Sequence, residues 1–348
     1  MELLSPKQIA KFADAVAQCR KAAVVVHTHP DGDALGSGVA MRRYLLAKGK
    51  EAKLIFPDSF PSTLSFLTEG EDLIDALNER DAAVEALAGC DTLFVLDMNA
   101  FRRAEALAPE LRSCPARTKV LIDHHLNPAV EEFDLVFSRT EVSSASELLF
   151  WMLLGAEEGK IEAIPEKARY ALMTGMTTDT NNFANSVYPS TLEMASLLLA
   201  SGIDRDEIVS QLYQNYSANR IFAFAAILYT RMKILPGGVA CLVSDEAFQT
   251  AFPLVEGETE GLVNIPLGIG EVKMSIFARW ECDHFRVSVR SKRGYSANKL
   301  VAEYFHGGGH EMAAGGKIFV PADIPSQTEA DAFIASCVAQ FLQTESKR

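Results

Sequence analysis

The chain has 348 residues, a length that suits two domains better than one, and its 48% hydrophobic and 23% charged residues match a soluble globular protein. No run of about 18 apolar residues offers a membrane span, and Met1 to Ser5 lack the basic-then-apolar pattern of a secretory leader; the six cysteines stand singly without a C-x-x-C pair, which argues for reduced thiols in a cytoplasmic protein and against a structural zinc. The formal net charge of −13 argues against a broad basic grip on long nucleic acid, although a short anion held by a few placed cations fits it.

Taken in order, Ser5-Pro6 with Gln8 reads as a helix start with a capping box. Ala22 to His27 is a short β-branched strand, Ala34 to Lys48 a helix stopped by Gly49, Lys53 to Phe56 a strand and Asp81 to Ala88 a helix. Thr92 to Asp97 and Lys119 to Asp123 are further apolar strands, and Ser144 to Leu154 and Pro165 to Met173 read as helices. Strands apolar throughout and separated by helices imply an α/β fold with a doubly wound, mostly parallel sheet covered on both faces. From Tyr188 to about Met232 only helical patterns occur. A second strand-rich region follows, with strands at Val239 to Val243, Val272 to Ala278 and Phe285 to Arg290, a loop at Glu256 to Gly261, and helices near Ala297 to Phe305 and Glu329 to Gln343. The expected division is a catalytic domain over 1–187, a helical connector over 188–232 and a smaller α/β domain with a mixed sheet over 233–348.

The polar residues that stand out share one position, the C-terminal ends of the predicted strands. His27 closes the first strand, with His29, Asp31 and Asp33 just beyond; Asp97 closes another; Asp123 closes a third, followed by His124 and His125. Ligands of open parallel sheets bind outside those strand ends. Asp179, in Thr174 to Thr180 just after a predicted helix, reaches towards the same edge. Each residue alone has a bland explanation as a helix cap, a turn former or a surface histidine. Together they crowd carboxylates that raised pKa values or cations must neutralise, and carboxylate with imidazole suits Mn²⁺, with Co²⁺, Zn²⁺ or Mg²⁺ as alternatives. Two metals about 3.5–4 Å apart can clamp a phosphoryl group and activate water.

In the second region, Phe305 to Gly316 contains the run Gly307-Gly308-Gly309-His310, where backbone N–H groups can approach an anion. Upstream, strand periodicity puts Arg286, Ser288, Arg290 and Lys292 on one face and Val287 and Val289 on the other. A basic face beside a glycine-rich run in an acidic chain suits a phosphate-binding wall.

On these segments the sequence resembles the DHH superfamily of phosphoesterases, in the branch with a DHHA1 C-terminal domain, and is most similar to the NrnA-type oligoribonucleases that also act as 3′-phosphoadenosine-5′-phosphate (pAp) phosphatases. The carrying motifs are His27 to Ser37, Val95 to Asp97, Asp123 to His125 with Asn127, Thr174 to Phe183, Val289 to Ser291 and Gly307 to Gly315. The resemblance implies two divalent metals, with His27, Asp31 and Asp97 on one and Asp33, Asp97, His124 and Asp179 on the other. It implies that Asp123 orients a ligand histidine and that His125 contacts the substrate phosphate and assists its chemistry. Arg103, Arg290, Ser291, Gly307, Gly308, Gly309 and His310 would hold substrate. Two departures stand out: His306 takes the first place of a glycine run that is often one longer, and Met98-Asn99 replaces small hydroxyl residues.

The function so implied is stepwise hydrolysis of RNA fragments of two to five nucleotides to mononucleotides, and of pAp to AMP. No membrane or long duplex is expected as a partner, and the apolar helix faces of 188–232 leave a homodimer open. Enzymes acting on cyclic di-AMP or its linear product pApA share both domains and are the first alternative. A silent nucleotide sensor is the non-enzyme alternative, and it would be expected to lose some of the metal ligands that this chain retains.

Overall fold

A computed structural model of the chain describes residues 3–214, 216–255 and 257–345; Met1 and Glu2 of the stretch read for a leader, and Glu256 of the predicted loop, lie outside them. The chain forms two compact units, Met1–Asn215 and Tyr216–Arg348. The helices of the stretch 188–232 are therefore shared between the two.

The first unit begins with Pro6–Gln18 (α1), capped as expected: the Ser5 hydroxyl accepts from the Gln8 amide and the Gln8 side chain accepts from the Ser5 amide at 3.0 Å. Then follow Lys21–Val25 (β1), Gly32–Ala47 (α2), Glu51–Phe56 (β2), Leu73–Asp75 (β3), Arg80–Gly89 (α3), Thr92–Leu96 (β4), Ala108–Ser113 (α4), Thr118–Asp123 (β5) and Leu135–Ser138 (β6). Ala145–Ala156 (α5), Glu166–Asp179 (α6), Pro189–Ala200 (α7) and Arg205–Tyr213 (α8) complete it. The sheet order is β3-β2-β1-β4-β5-β6, and every neighbouring pair is parallel. Residues alternating along the strands feed two cores. One holds Val24, Phe94 and Ile122 with α1, α2, α5 and α6; the other holds Val25, Val95 and Leu121 with α3 and α4. The chain leaves β1 towards the first core and β4 towards the second, so the strand order reverses between β1 and β4 and opens a crevice at their C-terminal ends.

Three details depart from the sequence expectation. The edge strands β3 and β6 are too short for a periodicity to show. The strands β1 and β4 stop at Val25 and Leu96, so His27 and Asp97 lie in the segments that follow, and Asp97 takes a left-handed backbone (φ 56°) that aspartate tolerates better than most residues. The helix α6 does not stop at Met173 but runs on to Asp179. Glycine and threonine are poor helix formers, yet Thr174 and Thr177 bond back to the carbonyls of Tyr170 and Met173, and the segment is buried. Gly175 makes that burial feasible: a Cβ there would lie 2.1 Å from Ser146 Oγ and 2.9 Å from Asp33 Oδ1.

The second unit contains Ala218–Thr230 (α9), Lys233–Leu235 (β7), Val239–Ser244 (β8), Glu246–Ala251 (α10), Met274–Glu281 (β9), His284–Ser291 (β10), Ala297–Tyr304 (α11), Gly308–Gly309 (β11), Ala313–Phe319 (β12) and Ala330–Glu345 (α12). Its sheet runs β11-β12-β10-β9-β8-β7 and is mixed, with β8 and β9 parallel and the other pairs antiparallel. One face packs on α11 and α12 through Ile276, Val287 and Val289. On the other face, α9, α10 and the turn Leu262–Gly268 cover Leu242 and Phe277. Among the described residues no helix is long and apolar enough to cross a membrane.

Candidate metal centre

The crevice between β1 and β4 receives side chains from four parts of the first unit. After β1, His27 is buried, and its Nδ1 donates to the Thr28 carbonyl at 2.8 Å. That bond selects the tautomer and leaves Nε2 free as a ligand. His27 Nε2 lies 3.4 Å from Asp97 Oδ2 and 3.9 Å from Asp31 Oδ1. Asp31 is also the cap of α2, where its Oδ1 accepts from the amides of Asp33 and Ala34. The cap explanation and the ligand explanation therefore hold for one residue together.

The second set meets at His124, whose Nε2 is 3.4 Å from Asp179 Oδ2, 3.5 Å from Asp97 Oδ1 and 4.0 Å from Asp33 Oδ2. Asp33 is held by the first turn of α5, accepting from the amides of Ala145 at 2.6 Å and Ser146 at 2.9 Å. Sequence reasoning missed this support, although Ser144, a helix cap bonded to the Glu147 amide, marks where those free amides begin. His27, Asp31 and Asp97, and separately Asp33, His124 and Asp179, each bring ligand atoms within 4.8 Å of one another. Asp97 turns one oxygen to each set.

The electrostatics fit bound cations. Asp97 is buried, and its Oδ1 has no hydrogen-bond partner among the described residues. Burial would raise its pKa, but the neighbouring His124 and His27 hold it well below the carboxylate range. Burial works against a charged His124, yet Asp97, Asp179 and Asp33 push it up to about 10. Burial, followed by the charge of Asp97, pushes Asp33 up to about 7, and burial with the charges of Asp33, Asp31 and Asp97 raises Asp179 well above its usual value against His124. Protons or cations must neutralise this cluster, and the donors are those of a mixed carboxylate–imidazole site. The residues present fit two divalent ions.

Asp123 is fully buried and holds His125, not His124: its Oδ1 accepts from Nδ1 of His125 at 2.7 Å and its Oδ2 from the His125 amide at 3.1 Å. The resemblance implied that Asp123 orients a ligand histidine; the bonds found go to His125, which is not among the proposed ligands. Arg103 donates to His125 Nε2 at 2.9 Å, which sets a neutral His125 with its proton on Nδ1. Arg103 also lies 3.4 Å from the Asp97 carbonyl. The chain Asp123–His125–Arg103 therefore borders the donor cluster. His29 stands apart, paired with Asp58 at 2.7 Å.

In the second unit Arg290 lies on the same face as Arg286 and Ser288, as expected. Ser291, the next residue along the strand, takes the opposite face; it is buried and donates to the Tyr295 carbonyl at 2.5 Å. Lys292 lies beyond β10 and bonds the Ile269 carbonyl at 3.0 Å, so it leaves the basic face. The glycine run is not a free loop. Gly308 and Gly309 pair with Gly315 and Ala314, and His310 begins the hairpin, its amide donating to the Ala313 carbonyl at 2.8 Å. His306 turns away to Asp323 at 3.0 Å.

Residues 21–176 match the model described as DHH family, N-terminal domain, and residues 253–337 match the DHHA1 domain. The chain is 29% identical to the bifunctional oligoribonuclease and PAP phosphatase NrnA of Thermus thermophilus, over 84% of this chain and 82% of that one. It is 25% identical to the cyclic-di-AMP phosphodiesterase GdpP of Geobacillus thermodenitrificans over 85% of this chain and 44% of that one. The crystal structure of an exopolyphosphatase-related protein from Bacteroides fragilis superposes with a TM-score of 0.90 at 29% identity, covering 98% of both chains. With both domain models matched in order, and with relatives aligned along most of its length, the chain belongs to the DHH family of phosphoesterases, in the branch that carries a DHHA1 domain.

Proposed function

We propose that this phosphoesterase uses two divalent ions, Mn²⁺ by the character of the donors, to hydrolyse short RNA oligonucleotides to mononucleotides and pAp to AMP. The observation that carries the metal assignment is the sharing of buried Asp97 between two donor sets. His27, Asp31 and Asp97 would hold one ion, and Asp33, Asp97, His124 and Asp179 the other. When bound, the ions would supply Lewis-acid charge on the phosphoryl oxygens and lower the pKa of a water. The chain's own groups would do the rest. Arg103 would bind a phosphate oxygen. His125, oriented through Nδ1 by Asp123, would offer Nε2 to a proton of the reacting group. Arg290, His310 and the paired Gly308–Gly309 backbone would take the nucleotide.

The choice of RNA and pAp rests on the similarity to NrnA along most of both chains. Hydrolysis of cyclic di-AMP or pApA is the second reading, favoured by the similarity to GdpP, of whose length this chain spans less than half. The purified chain with Mn²⁺ should be offered pAp, an RNA dinucleotide, an RNA pentamer, cyclic di-AMP, pApA and pyrophosphate. Turnover of the RNA and pAp is expected to lead, and Asp97→Ala should lose it. A preference for pyrophosphate, no hydrolysis anywhere, or equal activity in Asp97→Ala would defeat the proposal.

A further inference from the structure

The strand register of the second unit places three cations in one row across neighbouring strands. Arg286 of β10 stands directly opposite Arg279 of β9 on one side and Lys317 of β12 on the other. All three lie on the face that carries Arg290 and Ser288. Like charges directly opposite in a sheet repel and cost stability, and this chain is strongly acidic overall. The acidic neighbours compensate little. Among the described residues Arg286 has one loose contact, 3.9 Å to Glu281, Asp283 acts on Lys317 only through its charge at longer range, and neither Arg279 nor Lys317 makes an ion pair. Arg286 and Lys317 are exposed, while Arg279 is half-buried at the edge of a cavity lined by Phe277 and Phe248.

Between this row and Arg290 runs a strip almost without side chains: Gly308, Gly315 and Ser288 are register neighbours. The packing does not demand both glycines. A Cβ on Gly315 would approach nothing nearer than 3.6 Å, and one on Gly308 nothing nearer than 3.5 Å. Their neighbours differ, since a Cβ on Gly307 would lie 2.0 Å from the Gly315 carbonyl oxygen and one on Gly309 2.6 Å from that of Ala313. A cation row on one side of a bare strip and Arg290 on the other make a shallow trough.

We propose that the row Arg279–Arg286–Lys317 is a second phosphate subsite, which engages the backbone of single-stranded RNA beyond the nucleotide held at Arg290 and so makes binding depend on chain length. The proposal rests on the RNA reading above. Arg290 and Arg286 are four residues apart on one strand, about 13 Å at the rise of an extended chain. That reach passes over one nucleotide and meets the phosphates of the next, so a mononucleotide leaves the row unused and a pentamer fills it.

Binding of a fluorescently labelled RNA pentamer and of labelled AMP should be measured by anisotropy with EDTA present, in the full chain and in Arg286→Gln/Lys317→Gln. The variant removes a repulsion, and its melting temperature should equal or exceed that of the parent. The pentamer is expected to bind the variant about tenfold more weakly, with the salt slope of log K reduced by about 1.4 for two lost phosphate contacts. The pentamer should lose at least fivefold more than AMP, as expected if only the longer strand reaches the row. Equal loss for both ligands, an unchanged salt slope, or a parent that does not bind the pentamer would overturn the subsite. Length-dependent binding in a parent that hydrolyses no RNA with Mn²⁺ would leave the subsite standing and remove the proposed reaction.

Discussion

Asp123 and His125 show how one neighbour decides what a side chain can do. A third donor set, Asp97, Asp123 and His125, also gathers within ligand distance, but Asp123 and His125 already satisfy one another. If Asp123 positions a proton-carrying His125, Asp123→Asn should lower kcat by roughly 10²–10⁴-fold while bound metal per chain stays the same. Loss of metal together with activity would instead make Asp123 a ligand. Away from the site, Lys48 and the Tyr44 hydroxyl both reach Glu157 Oε1 at 2.5 Å. Burial alone would raise the Glu157 pKa, yet these partners lower it. A carboxyl depressed in the folded state adds stability above its unfolded pKa, near 4.3, and loses it as the pH falls through the folded value. Glu157→Gln should therefore cost roughly 0.5–1 kcal/mol at pH 7 in urea titrations, and the difference should vanish in acid below the ordinary glutamate range. A gap that persists there would assign the effect to packing.

At the scale of elements, α6 carries Asp179 to the crevice only because α2 and α5 let it come close. Gly175→Ala would place a methyl group against Ser146 and Asp33. The expected result is a loss of about 1–3 kcal/mol of stability, as for other overpacked sites, together with weaker metal binding, read by chemical denaturation and by calorimetric titration with Mn²⁺. Unchanged affinity in a destabilised variant would separate the packing from the site. The same elements show what local reading finds. Apolar strands of five or more residues, the Ser5 cap and the helix α2 are legible, because periodicity and capping are written in adjacent residues. The end of α6 is not, because Thr174 to Asp179 is helical through burial and not through propensity. The strand β12 is not legible either, since Ala-Ala-Gly-Gly lacks every β signal and pairs only because β10 offers an edge.

For the whole molecule, metal should act as part of the fold. Binding to the folded state alone stabilises by about 2.7 kcal/mol at a hundredfold excess over Kd, so Mn²⁺ should raise the melting temperature of the parent and not that of Asp97→Ala. Binding should also release protons and tighten as the pH rises, because carboxylate and imidazole ligands must be unprotonated. Titrations in buffers of different ionisation enthalpy read that release directly, and a buffer-independent heat would contradict the cluster's charge balance. The three sulfur-free strand ends do not exhaust what distance in sequence hides: Cys90 and Cys114, single in the chain, lie 3.6 Å apart in the fold as free thiols.

The sequence by itself determined the fold class, the family and the residue types of the metal edge, since apolar runs make buried strands and a parallel sheet delivers their ends to one side. Only the tertiary structure decided which groups meet. Strand order brought β1 beside β4, so that Asp97 stands between His27 and His124. The alternation of a paired strand turned Ser291 away from Arg290, and cross-strand register set Arg279, Arg286 and Lys317 side by side. Those relations are set by hydrogen bonding between distant segments and by the packing of two cores, neither of which is encoded in the spacing of any one motif.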